Sequence, residues 1–215
     1  MSRLLMVTLA ILGLIFTPIL SVANDAEVLK SIEKYEVHIF SIGIGGLGAC
    51  TGTILTNTDT YSTVLTCKHC LNPDFEVLVD SNKVLKISTA TKEDLALVTV
   101  IGKFEGKEAA KLAKYNARVD EMVYMFGMPG LVFRFPSVGP VVLYSNNWGY
   151  ARLDVMPGCS GAGLFNKDQE LVGVVWGEFV EGGVGGGFFS EPTGGVKIGL
   201  FEPLYDIQAF LERIK

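Results

Sequence analysis

The chain has 215 residues, 49% hydrophobic and 19% charged, with 25 Gly and 8 Pro, a balance that excludes a disordered or collagen-like polymer. A net charge of -5 and a pI near 5.1 exclude a general electrostatic binder of nucleic acid. The length suits one large domain or two small ones, and the 2 His, His38 and His69, must supply any chemistry that needs imidazole.

Residues 1–23 have the three-part layout of a secretory signal peptide. Arg3 gives the positive start, Leu4 to Leu20 is apolar apart from Thr8, Gly13, Thr17 and Pro18, and Ser21–Val22–Ala23 places small residues before Asn24. Cleavage after Ala23 is expected, which makes the protein secreted or periplasmic. Only an uncleaved segment would tie it to a membrane. Residues 24–215 are then one domain in an oxidising compartment, where Cys50, Cys67, Cys70 and Cys159 can pair in three ways.

Asp25–Lys34 reads as a short polar helical lead-in, and strand-like runs follow. Tyr35–Ile44 is rich in β-branched and aromatic residues. Ala49–Leu55 and Ser62–Thr66 flank the polar run Asn57–Thr60 and predict a hairpin, as do Glu76–Val79 and Val84–Ile87 around Ser81–Asn82. Further strands are predicted at Leu95–Val100, Met122–Phe126, Gly139–Leu143, Ala151–Val155, Gly163–Phe165, Leu171–Trp176 and Gly187–Ser190. Such regular spacing predicts an all-β sandwich or barrel. Apolar residues at Leu204, Ile207, Phe210, Leu211 and Ile214 have helical spacing and predict a terminal helix over Glu202–Lys215.

Three constellations lie beside these strands: Thr66–Cys67–Lys68–His69–Cys70, Glu93–Asp94–Leu95, and Pro157–Gly158–Cys159–Ser160–Gly161. Each alone has a bland reading: a structural histidine, a loop-ending acid, a turn. In order they supply a base, an acid and a hydroxyl. A serine hydroxyl is a poor nucleophile at neutral pH and needs a base to take its proton. Imidazole does this and can return the proton to the leaving group. A carboxylate fixes its tautomer and stabilises the imidazolium. Glycines beside the serine let backbone N–H groups converge on an oxyanion.

These segments resemble the trypsin/chymotrypsin-like serine peptidases. Thr63–Cys70 is similar to the family's strand ending in Thr-Ala-Ala-His-Cys, and Asp94–Val98 to Asp-Ile-Ala-Leu-Leu. Gly158–Gly161 resembles Gly-Asp-Ser-Gly, and Leu171–Gly177 resembles Leu-Val-Gly-Ile-Val-Ser-Trp-Gly with one residue missing. Short spacings between the motifs are closer to compact bacterial and viral members. Tyr124–Gly130 is similar to the Ile-Gly-x-Pro segment of heat-shock-type bacterial relatives.

The resemblance implies two packed six-stranded β-barrels with a C-terminal helix, acting as a monomeric endopeptidase on protein or peptide substrates, with no cofactor or metal. His69 would be general base and acid, Asp94 its orienting partner and Ser160 the nucleophile. The N–H groups of Gly158 and Ser160 would form the oxyanion hole, and Val175, Trp176 and Gly177 would pair with substrate main chain. Asp154, six residues before Ser160, is either the base of a pocket for Lys or Arg or an exposed strand-end carboxylate. Cys50 and Cys70 match a family disulfide, while Cys67 and Cys159 either pair or stay free. Digestive members carry Asp where this chain has Cys159, so activity is not expected to depend on a new N-terminus.

Several rivals remain open at the level of sequence. One is a catalytically silent binding module with a protease fold. Cys67–Lys68–His69–Cys70 has thioredoxin-like C-x-x-C spacing, but strands and a turn surround it where that fold has a helix. Zinc on Cys67, His69 and Cys70 lacks the usual second ligand pair. Spacing favours Ser160 over Cys159 as the nucleophile. His38 is expected to be structural, and the Gly182–Gly187 run to be a loop beside the pocket.

Overall fold

The computed structural model describes residues 24–44, 46–130, 133–180, 183–185 and 197–215. The expected signal-peptide segment, the strand expected at Gly187–Ser190 and half of the Gly182–Gly187 run lie outside them. A helix over 24–32 (α1) leads in and ends in a 3₁₀ turn, Glu33–Tyr35. The first barrel follows: β1 (Glu36–Gly43), β2 (Gly46–Asn57), β3 (Tyr61–Thr66), β4 (Glu76–Val79), β5 (Asn82–Thr89) and β6 (Ala96–Ile101). Its antiparallel strands run β1-β2-β3-β6-β5-β4, and β4 closes on β1. β7 (Lys111–Leu112) crosses to the second half.

The second barrel contains β8 (Met122–Gly127), β9 (Phe135–Ser145), β10 (Trp148–Ala151), β11 (Gly163–Phe165), β12 (Glu170–Val180) and β14 (Ile198–Pro203), with β13 (Gly183–Gly185) as an extension of β12. Neighbours run β8-β9-β10-β14-β12-β11, and β11 pairs back with β8. Each half therefore has six strands in one spatial order: first, second, third, sixth, fifth, fourth. Helix α2 (Leu204–Arg213) follows β14. Among the described residues no helix is long and apolar enough to cross a membrane.

Side-chain alternation explains why these runs are strands. In β6 the inward Ala96, Val98 and Val100 are buried while Leu97, Thr99 and Ile101 are partly or fully exposed. Val37, Ile39, Ile54, Val64, Val79 and Val98 fill the first barrel. Met125, Val141, Leu153, Leu164, Val175 and Phe201 fill the second. Between them lies a third cluster that includes Leu65, Leu95, Phe126, Phe165 and Val174, with Ile207 and Phe210 of α2. Leu65 and Thr66 are both buried because the end of β3 runs into this seam.

Two hairpins close as the twist of antiparallel strands requires, with positive φ at both turn residues: Asp80–Ser81 and Asn146–Asn147. The expected strand at Ala151–Val155 is corrected. β10 begins at Trp148 and ends at Ala151, where the register against β9 shifts. Arg152 N–H then bonds the Pro140 carbonyl, and a Cβ on Gly139 would lie 1.9 Å from Arg152 O. The chain leaves the sheet by pressing on a glycine, which residue-by-residue alternation does not reveal.

Candidate active site

His69 sits in a 3₁₀ turn, Lys68–Cys70, directly after β3. A disulfide from Cys70 to Cys50 on β2 anchors the end of this turn. Asp94 lies in the loop before β6 and grips the turn twice. Its Oδ1 accepts the His69 backbone N–H at 3.0 Å, and its Oδ2 lies 2.5 Å from His69 Nδ1. Lys68 N–H also bonds the Asp94 carbonyl at 3.3 Å. A carboxylate holding Nδ1 fixes the ring tautomer and leaves Nε2 for another partner. The His69 side chain is 46% exposed, so solvent or substrate can reach it.

Ser160 comes from the second barrel, on the loop between β10 and β11. That loop is stapled to the first barrel by Thr51, which is fully buried on β2. Thr51 N–H bonds Ser160 O at 2.9 Å, Thr51 Oγ1 donates to Gly158 O at 2.8 Å, and Met128 N–H bonds the same hydroxyl at 2.8 Å. Ser160 O lies 3.7 Å from Cys70 Sγ, and the disulfide sulfurs lie within 4.8 Å of a His69 ring nitrogen. Ser160 and His69 are thus both brought close to one disulfide. The Ser160 hydroxyl donates to the Trp176 carbonyl at 3.2 Å, and among the described residues it makes no bond to the imidazole.

The tight turn around Ser160 depends on two glycines. Gly158 (φ +97°) and Gly161 (φ +88°) occupy the left-handed region, and a Cβ on Gly161 would lie 2.1 Å from Thr51 O. Cys159 N–H is used by Met156 O and Gly161 N–H by Val175 O. Among the described residues the N–H groups of Gly158 and Ser160 have no partner. Val175 N–H and C=O are engaged by Ala162 and Gly161, the Trp176 carbonyl accepts the Ser160 hydroxyl, and Gly177 pairs with Leu200 of β14. The β12 register shifts between Val175 and Gly177, which sets Trp176 apart at the point where Ser160 meets it.

Asp154 projects from the segment after β10. Its side chain is 63% exposed, with Oδ1 3.6 Å from Lys197 Nζ. Cys67 and Cys159 are both free and buried, so the pairing left open by the sequence does not form. Burial pushes the Cys67 thiol well up, with Asp94 and Glu202 adding to the effect, and burial raises Cys159 to about 11. Neither is a ready thiolate. Cys70 is committed to Cys50, which removes the C-x-x-C redox pair and the proposed zinc ligand set together. Cys67 Sγ, His69 and Asp94 lie within 4.8 Å of one another, with the Cys67 thiol donating to Val175 O.

Sequence reasoning missed three residues that organise the site. Thr51 is one. Glu202 on β14 accepts the Asp94 backbone N–H at 2.9 Å and is 2% exposed. Glu36 is fully buried between the barrels, its Oε1 accepting Thr53 Oγ1 and Gly163 N–H. A buried Glu has no periodic signature, though Glu36 and Glu202 each interrupt an apolar run. His38 pairs with Asp80 at 3.1 Å and stacks on Phe40, far along the chain from the site.

Two antiparallel six-stranded barrels, with a histidine–carboxylate pair from one and a glycine-flanked serine from the other, define a trypsin-like hydrolase architecture. The model of the Trypsin-like peptidase domain family matches residues 50–174, and the chain belongs to that family, whose members are serine-type endopeptidases acting on protein or peptide substrates. Among solved structures it is similar to the active form of the Rv3671c protease from M. tuberculosis, with 18% identity, a TM-score of 0.69, and coverage of 86% of this chain and 82% of that one. The inactive form of the same protease gives 18% identity and a TM-score of 0.67 over 87% and 92% of the two chains. A serine endoprotease from Yersinia pestis gives 17% identity and a TM-score of 0.68 over 88% of this chain and 65% of that one. No curated protein matches by sequence.

Proposed function

We propose that this chain is an exported endopeptidase that cleaves polypeptides through a His69–Asp94–Ser160 relay and an acyl-enzyme. The observation that carries the reading is the double grip of Asp94 on His69, at the backbone N–H and at Nδ1. With Nδ1 held, Nε2 takes the proton of Ser160 Oγ as the oxygen attacks the scissile carbonyl. Asp94 stabilises the imidazolium, which then protonates the leaving amine. Water enters by the same route and frees the acyl group. The unpartnered N–H groups of Gly158 and Ser160 receive the oxyanion, and loss of one such donor costs roughly 2.7–4 kcal/mol in the barrier. Trp176 and Gly177 align substrate as an added strand. Export follows from the leader over residues 1–23, and a monomer suffices because one chain supplies both barrels.

The hydroxyl bond from Ser160 to Trp176 O favours a second reading, a protease fold that binds without cleaving. A fluorophosphonate probe separates the two. Labelling of wild type and not of Ser160→Ala is expected; labelling of both, or of neither, rejects the nucleophile. Intact mass of the exported protein reports whether residues 1–23 have been cut away.

A further inference from the structure

The loop that carries Asp94 is held from behind by the C-terminal end of the chain. Asp94 N–H donates to Glu202 Oε1 at 2.9 Å, across 108 residues. Its neighbour Glu93 accepts Arg213 of α2 at 2.8 Å. Glu202 is buried on β14, and Asp206, in the first turn of α2, has a buried Oδ2 without a partner among the described residues. Four carboxyls therefore gather behind His69: Glu93, Asp94, Glu202 and Asp206. Arg213 is the cation paired with the group, through Glu93. The Cys67 thiol and the Tyr205 phenol also face Glu202.

We propose that Glu202 is a positioning residue for the Asp94–His69 pair, and that the ionised Glu202 carboxylate is the form that holds the acid loop in its working place. The inference rests on the relay proposed above. An ionised carboxylate makes a shorter and stronger bond to a backbone N–H than a neutral carboxyl does. Its negative charge also favours the imidazolium that forms during attack. Burial pushes Glu202 up to about 7, against the opposing Asp94 N–H bond and with help from Asp206, Asp94 and Glu93. Burial likewise pushes Asp206 up to about 6, with Glu93 raising it and Arg213 lowering it. Below neutrality the grip is proton-loaded; above it, charged. Glu202 must then lose its proton before the site works at its full rate.

The test uses the whole mature protein and two readouts. In 15N-labelled protein the Asp94 amide resonance should move through one titration near neutrality, and should not do so in Glu202→Gln. Asp206→Asn removes the neighbouring carboxyl, so the same movement should shift to lower pH; this variant serves if Glu202→Gln does not fold. The acid limb of kcat/KM should be steeper in wild type than in Glu202→Gln. That variant should lose about tenfold in kcat with little change in KM, and Glu202→Asp should recover part of it. An Asp94 amide that stays still, or that titrates alike in wild type and Glu202→Gln, overturns the inference whatever the fluorophosphonate result. An amide that titrates with Glu202 in a protein whose Ser160 takes no probe supports the contact and overturns the relay.

Discussion

At the scale of single residues the site depends on atoms that do no chemistry. Thr51 is the clearest case, because its hydroxyl and its main chain together bind Gly158 O, Ser160 O and Met128 N–H. Thr51→Val preserves shape but leaves the buried Met128 N–H and Gly158 O without a partner, a loss of about 1–3 kcal/mol each at most. Urea unfolding should show a lower midpoint, and fluorophosphonate labelling should slow, because the serine loop loses its tether. The triad candidates were legible in the sequence because nucleophile, base and acid each sit in a short motif of distinctive types. Thr51 was not, since a threonine in a β-rich stretch is ordinary until the second barrel folds against it. Asp154 is a different case. Its offset from Ser160 left a pocket base and an exposed strand-end carboxylate both open, and the structure adds what the offset does not show, Lys197 beside it.

Elements tell a similar story. A strand with clean alternation, such as β6, could be read directly, and so could the amphipathic α2. The two-residue β7 and the break after β10 could not, because pairing partners and a backbone contact at Gly139 decide them. The His69 turn is an element held by a cross-link. Cys50–Cys70 closes a loop of sequence separation 20 and ties β2 to the turn. Closing such a loop restricts the unfolded chain by roughly 3 kcal/mol. Cys50→Ala/Cys70→Ala should therefore melt lower by several degrees in calorimetry. It should also label more slowly with fluorophosphonate than wild type at a temperature where both are folded. An unchanged melting point would show that the bond constrains nothing the fold does not already fix.

Over the whole molecule, two barrels of one strand order meet at a seam, and a buried acid lies in it. Glu36 on β1 of the first barrel is bonded by Thr53 of its own barrel and by Gly163 N–H of the second. Burial holds its carboxyl well above the ordinary range, only partly offset by those bonds and by Lys107. The folded state thus keeps a proton that the unfolded chain releases at about pH 4.5. Its contribution to stability is complete below that pH and declines as pH rises toward the folded value. Glu36→Gln is neutral throughout and keeps an acceptor for Thr53. Its melting temperature relative to wild type should accordingly climb between about pH 5 and about pH 8, where 1 kcal/mol is roughly 2–4 °C. A constant difference across that range would mean that Glu36 is already ionised in the fold.

The grip of β14 and α2 on the acid loop also has a consequence in time. Translation proceeds from the first residue to the last, so His69, Asp94 and Ser160 all leave the ribosome before Glu202 and Arg213. A nascent polypeptide holds every reacting group while the clasp that aligns them is still unmade.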